Sequence, residues 1–174
     1  DGIPIIVKCT QKDSFKMSPE SLEKALTSKT RWLLLNSPGN PTGTVYSKEE
    51  LVEFSNILKR YPDVSIMCDD IYEKIIFDDL EFYTLAQVAP DLSDRVLTVN
   101  GVSKAYAMTG WRIGYAGGNK SLIAAMVKLQ GQSTTNASSV SQAAALSALS
   151  SGQLFIEEWK IEYQKRRDLI SDKL

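Results

Sequence analysis

Asn100-Gly101-Val102-Ser103-Lys104-Ala105-Tyr106-Ala107-Met108-Thr109-Gly110-Trp111-Arg112 follows directly on the apolar run from Arg95 to Val99. A short β-rich run of that kind predicts a buried strand, and the Gly, Ser and Ala after it predict a loop leaving its C-terminal end. That end is where open α/β sheets place their ligands. The loop carries Lys104, with Arg112 eight residues on. A lysine amine becomes a useful nucleophile when desolvation or nearby positive charge lowers its pKa, and a planar guanidinium suits a phosphate. The stretch is not a P-loop, because it has no Gly-x-x-x-x-Gly-Lys-Ser/Thr spacing. Taken alone, Lys104 reads first as a surface lysine.

Working outward, Ile3 to Val7, Trp32 to Leu35, Val64 to Cys68 and Arg112 to Ala116 also read as strands. Ser18 followed by Pro19 predicts a helix start, with the helix running through Ala25 and Leu26. Ser47-Lys48-Glu49-Glu50 is a capping box that opens a helix with Leu51, Phe54, Ser55 and Leu58 on one face, up to Arg60. Tyr61-Pro62-Asp63 ends it. Strand, helix and strand in succession predict parallel pairing through right-handed crossovers. The fold class is therefore α/β: a mostly parallel sheet with flanking helices, in three α-β-α layers. After Gly118 the pattern changes to three helical segments. Leu122, Met126 and Leu129 share a face, 139–149 is Ala-rich, and Phe155, Trp159, Tyr163 and Ile170 mark a long amphipathic helix.

Composition narrows the chemistry. The 174 residues hold 20 Lys and Arg against 21 Asp and Glu, and no His. Without histidine, Ser/His/Asp and Cys/His nucleophile systems and most zinc sites are excluded, so catalysis must rest on Lys, Asp, Tyr, Ser or Arg. A net charge of -1 provides no field to gather nucleic acid or an anionic membrane. Cys9 and Cys68 are too few for a disulfide framework and point to a reducing, cytoplasmic setting. Runs such as Leu33 to Leu35 and Ala143 to Leu146 fall far below the ~18 residues of a membrane span. The opening Asp1-Gly2-Ile3, with no Met and no leader, and a helix still in mid-pattern at Leu174 suggest an excised segment.

Two more loops follow predicted strands. Asn36-Ser37-Pro38-Gly39-Asn40-Pro41-Thr42-Gly43 has two prolines and two glycines that fix an irregular path, and its Asn40 amide can donate to an oxygen. Asp69-Asp70-Ile71-Tyr72 puts carboxylates at a strand end, where burial demands that at least one meet a cation. A two-aspartate metal site is disfavoured, since only Glu73 adds a further oxygen ligand in that turn. No metal site is expected.

An amide, a carboxylate, a phenol, an amine and a guanidinium from three strand ends suit one cofactor, and here the sequence resembles a known family. It is similar to the fold-type I pyridoxal 5'-phosphate (PLP) aminotransferases of class I, and within them to the bacterial aspartate aminotransferases. Ser37-Pro38-Gly39-Asn40-Pro41-Thr42-Gly43 matches the family's Ser-Pro-x-Asn-Pro-Thr-Gly loop, and Asp69 to Tyr72 matches its Asp-x-x-Tyr. Gly101 to Gly114 satisfies the class I lysine signature. The resemblance covers essentially all 174 residues.

It implies that Lys104 forms the internal aldimine with PLP and shuttles a proton. Asp69 would pair with the pyridine nitrogen, Asn40 and Tyr72 would bond the ring's 3'-oxygen, and Arg112 would hold the phosphate. Catalytic roles thus fall on Lys104, Asp69 and Tyr72. Asp70 is a neighbour by the family pattern. Many members carry Ser three residues before the lysine as a phosphate donor. Here that position is Gly101, so Ser103 or backbone amides would substitute.

The resemblance also implies that 1–150 is the central part of the PLP-binding large domain and 151–174 a helix connecting towards a small domain. The family's glycine-rich phosphate loop, its ring-stacking aromatic and its substrate-carboxylate arginine have no counterpart in these residues, so the chain alone is expected to be inactive. The implied activity is aspartate:2-oxoglutarate transamination by a ping-pong route, in a homodimer acting on an amino acid and a 2-oxo acid. The alternatives are an aromatic or alanine aminotransferase, a carbon-sulfur lyase of the same fold, and a PLP-sensing domain of a transcriptional regulator.

Overall fold

The computed structural model describes residues 2–174. At its centre β1 (Trp32–Asn36), β2 (Ser65–Asp69), β3 (Val96–Gly101) and β4 (Gly114–Gly117) form one sheet in the order β1-β2-β3-β4. β1, β2 and β3 run parallel, as the intervening helical patterns require. β4 runs antiparallel to β3. Parallel return needs a crossover of a dozen or more residues, usually a helix. The 102–113 connection holds only the short 3-10 turn Thr109–Trp111, so the chain folds straight back.

The helix starts follow from side-chain chemistry. α1 (Pro19–Ala25) opens where the Ser21 amide donates to Ser18 Oγ at 3.2 Å. α2 (Lys48–Lys59) opens on the capping box: the Ser47 amide donates to Glu50 Oε2 at 2.7 Å, and the Glu50 amide donates back to Ser47 Oγ at 3.3 Å. Such a cap is worth about 1 kcal/mol. At the other end the Arg95 guanidinium donates to the carbonyls of Leu58, Tyr61 and Val64 at 2.8–3.0 Å. It thereby ties the end of α2 to the turn that leads into β2.

One face of the sheet presents Leu35, Ile66, Cys68 and Val96 to Leu22 of α1, Phe54 and Leu58 of α2, and Leu85 of α3 (Leu85–Val88). These side chains are all but inaccessible to solvent, and each fully buried one contributes about 1.5–3 kcal/mol. The stretch from Ile3 to Val7 is not a strand: it pairs with no strand among the described residues, and Ile3 and Ile6 are over four-fifths exposed. A β-prone run becomes a strand only where a neighbour completes its ladder.

α4 (Lys120–Gly131), α5 (Ser139–Ser150) and α6 (Leu154–Ser171) follow. The shared face of α4 finds little cover among the described residues, with Leu129 exposed. α6 instead packs Ile156 and Phe155 into a second core with Val102, Ala105, Tyr106, Ile113 and Ala145 of α5. No helix is long and apolar enough to cross a membrane among the described residues.

Candidate active site

Strand register sets the site. Asn36 pairs with Asp69, and Asp69 with Val99, so β1, β2 and β3 end on one row and release their loops at one edge. Gly101 faces Gly114 across the antiparallel pair, which brings Arg112 back to that edge at the start of β4.

In the first loop the peptide bonds preceding Pro38 and Pro41 are cis. Asn36 Oδ1 accepts from the Asn40 amide at 3.1 Å, while Asn36 Nδ2 donates to the Asp69 carbonyl at 3.0 Å. The Ser37 amide donates to the same carbonyl at 3.3 Å. Asn36 thus fixes both the carrier of the amide and the carrier of the carboxylate. Sequence reading passed over this residue, although an Asn closing a strand just before Ser-Pro is a recognisable place for such a link. Gly43 closes the loop at φ +71°, a conformation that glycine adopts without penalty.

Asp69 is half-buried, and its Oδ1 accepts from the Ile71 amide at 3.3 Å. Asp70 is buried, and burial pushes its carboxyl up to about 6. Neither carboxylate forms an ion pair with a side chain among the described residues. Asp70 answers its desolvation by holding its proton more tightly, the other outcome open to a buried acid.

Asn40 Nδ2 donates to the Tyr72 hydroxyl at 3.3 Å. The Lys104 Nζ lies 5.6 Å from the centre of the Tyr72 ring. Three residues named from sequence, one from each loop, therefore meet. Arg112 stands exposed at the edge, with φ +55° and Nη1 donating to the Thr109 carbonyl at 2.9 Å. Ser103 is half-buried between Val102 and Lys104.

The structure explains Gly101. A Cβ there would sit 2.9 Å from the Ile113 carbonyl oxygen and 3.3 Å from the Gly114 Cα. The close approach of β4 leaves no room for a side-chain donor at that position. Behind the lysine loop, the Tyr106 hydroxyl donates to Gln153 Oε1 at 3.0 Å, a contact no sequence motif signals.

Comparison with known proteins bears on what this arrangement does. A family model described as "Aminotransferase class I and II" matches residues 1–174. The "Probable aspartate/prephenate aminotransferase" of Rickettsia felis is 55% identical over 168 residues, which are 97% of this chain and 41% of that protein. The "Aspartate/prephenate aminotransferase" of Cereibacter sphaeroides is 52% identical over 97% of this chain and 42% of its own length. The crystal structure of the aspartate aminotransferase from Rhizobium meliloti superimposes with a TM-score of 0.94 at 50% identity, over 96% of this chain and 42% of that one. The chain spans about two fifths of the length of these relatives.

Proposed function

The chain belongs to the class I and II aminotransferases, and from that premise we propose that it carries the cofactor-binding centre of a PLP-dependent aspartate aminotransferase. The observation that carries the reading is the meeting of Asn40, Tyr72 and Lys104 above the strand row that ends in Asp69. The donor set fits PLP: an anion for a protonated ring nitrogen, an amide and a phenol for the ring oxygen, an amine for the aldehyde and a guanidinium for the phosphate. When bound, PLP supplies an electron sink that lets an amino acid lose its α-proton.

Each side chain then has a task. Lys104 would tether the cofactor through Nζ and, once displaced by substrate, take the proton from the α-carbon. Asp69 would hold the ring-nitrogen proton, and its backbone is pinned for this by Asn36 and Ser37. Asn40 and Tyr72 would orient the ring through its 3'-oxygen. Arg112 would hold the phosphate, with Ser103 and loop amides as further donors, since Gly101 has no side chain to offer.

The reaction is aspartate:2-oxoglutarate transamination in two half-reactions, by a homodimer in the cytoplasm. Residues 1–150 form the central part of the large domain, and 151–174 form the helix leading towards a small domain. The names of the relatives add prephenate as a second 2-oxo acid to test. Full-length protein loaded with PLP should convert aspartate and 2-oxoglutarate to oxaloacetate and glutamate. Binding of PLP without turnover of any amino acid and 2-oxo acid pair would instead favour a sensor domain and overturn the proposal.

A further inference from the structure

Two of the site loops are gripped by the same helix. At its N-terminal end α6 holds the lysine loop: Gln153 accepts from the Tyr106 hydroxyl, and the Phe155 ring lies 6.2 Å from that of Tyr106, two residues beyond Lys104. Further along it holds the segment that follows Tyr72. Arg167 Nη2 donates to Asp78 Oδ1 at 2.7 Å, and Nη1 donates to Oδ2. The guanidinium carbon lies 5.4 Å from the centre of the Phe77 ring. Gln164 accepts from the Asp78 amide and donates to its carboxylate, both at 3.4 Å.

Between these two grips lies a cleft of about 270 Å³ lined by Glu73, Lys74, Ile76, Gln153, Ile156 and Glu157. Much of the hold on the outer part of the segment therefore falls to the Asp78 contacts. Asp78 and Asp79 both take left-handed conformations, φ +60° and +55°. Non-glycine residues rarely adopt them without surrounding contacts that enforce them. Little slack separates Asp78 from Tyr72, because the Ile75 amide donates to the Tyr72 carbonyl at 2.8 Å and Ile76 is buried. Arg167 is itself steadied by Asp168, whose Oδ1 accepts from Nε and Nη2.

We propose that Arg167 is a positioning residue: by clamping Asp78 to α6 it sets where the Tyr72 hydroxyl stands relative to Asn40 and Lys104. This rests on the function proposed above, in which Tyr72 donates to the 3'-oxygen of the cofactor. An exposed ion pair contributes little to global stability, so the clamp acts on placement. A donor to the 3'-oxygen favours its anionic form, so loosening Tyr72 raises the pH at which the visible band of the bound cofactor changes.

The test uses full-length protein with PLP and no substrate. R167M and D78N should each raise that midpoint by about half a pH unit or more. The R167M/D78N double variant should raise it no further than either alone, as expected of one shared contact. R166M removes a pair made only within α6 to Glu162 and should leave the midpoint in place. Amide exchange across residues 72–80 should quicken in apo R167M and apo D78N. An unchanged midpoint in folded R167M and D78N would overturn the clamp. Absence of any visible band in the wild-type protein would overturn the functional reading instead, and the apo exchange data would still report on Arg167 and Asp78.

Discussion

The Asn40 side-chain amide donates to the Tyr72 hydroxyl at 3.3 Å, across two loops that emerge from neighbouring strands. The contact exists because Asn36 and Asp69 end their strands side by side. Asn36 then spends one side-chain atom on each loop, on the Asn40 amide and on the Asp69 carbonyl. In the proposed function, the donor pair for the ring oxygen and the anion for the ring nitrogen are thus set by a single strand register.

Asp69→Ala in the full-length protein should lower kcat by at least about 100-fold, the scale on which a lost preorganised charge partner is felt. Some cofactor should stay bound, because the amine and the guanidinium remain. Steady-state kinetics with cofactor content measured on the same preparation checks both statements. Near wild-type turnover would remove Asp69 from the account.

Arg112→Ala should act on retention rather than chemistry. Arg112 is exposed at the edge, and its side chain bonds the Thr109 carbonyl, so the fold should tolerate the change. Loss of a charge-assisted phosphate contact should raise the dissociation constant of PLP about tenfold or more. Equilibrium dialysis reads this directly, and unchanged affinity would refute a phosphate role.

Gly101→Ser should destabilise the protein by about 1–3 kcal/mol, the usual effect of overpacking. The new Cβ would meet two backbone atoms, Ile113 O at 2.9 Å and Gly114 Cα at 3.3 Å, and neither can swing away. Thermal melts of wild-type and variant should separate clearly. Coincident melts would show that β4 yields more readily than its geometry implies.

Asp70 predicts a pH dependence of stability. Burial raises its folded-state pKa from 3.8 to about 6, so between those values the folded state binds the proton and the unfolded state releases it. The stabilisation from this group is present below about pH 4 and is lost as pH rises through about 6. Asp70→Asn should therefore gain on wild-type as pH rises from 4.5 to 7.5, by an amount on the order of 1–3 kcal/mol. Melting temperatures of the pair across that range check it, and a constant difference would contradict it.

Much of this was legible in the residues themselves. The capping box at Ser47 and Glu50, the Pro19 start and the three apolar runs ending at loops depend on local chemistry, and the structure follows them. What was not legible depends on neighbours distant in sequence. The segment from Ile3 to Val7 has the composition of a strand but no partner strand among the described residues, and the direction of β4 turns on the short 3-10 turn that stands where a crossover helix would be needed between Lys104 and Gly114. Asp70 reads from sequence only as a neighbour of Asp69, because the depth of its burial is set by packing from elsewhere in the chain. The same limit hid Asn36 and Gln153, whose roles come from what they touch 33 and 47 residues away.

The most direct test is chemical. Full-length protein incubated with PLP, reduced with borohydride and digested should yield one pyridoxyl-modified peptide, with the label on the amine of Lys104. A label on any other lysine, or none, would contradict the account.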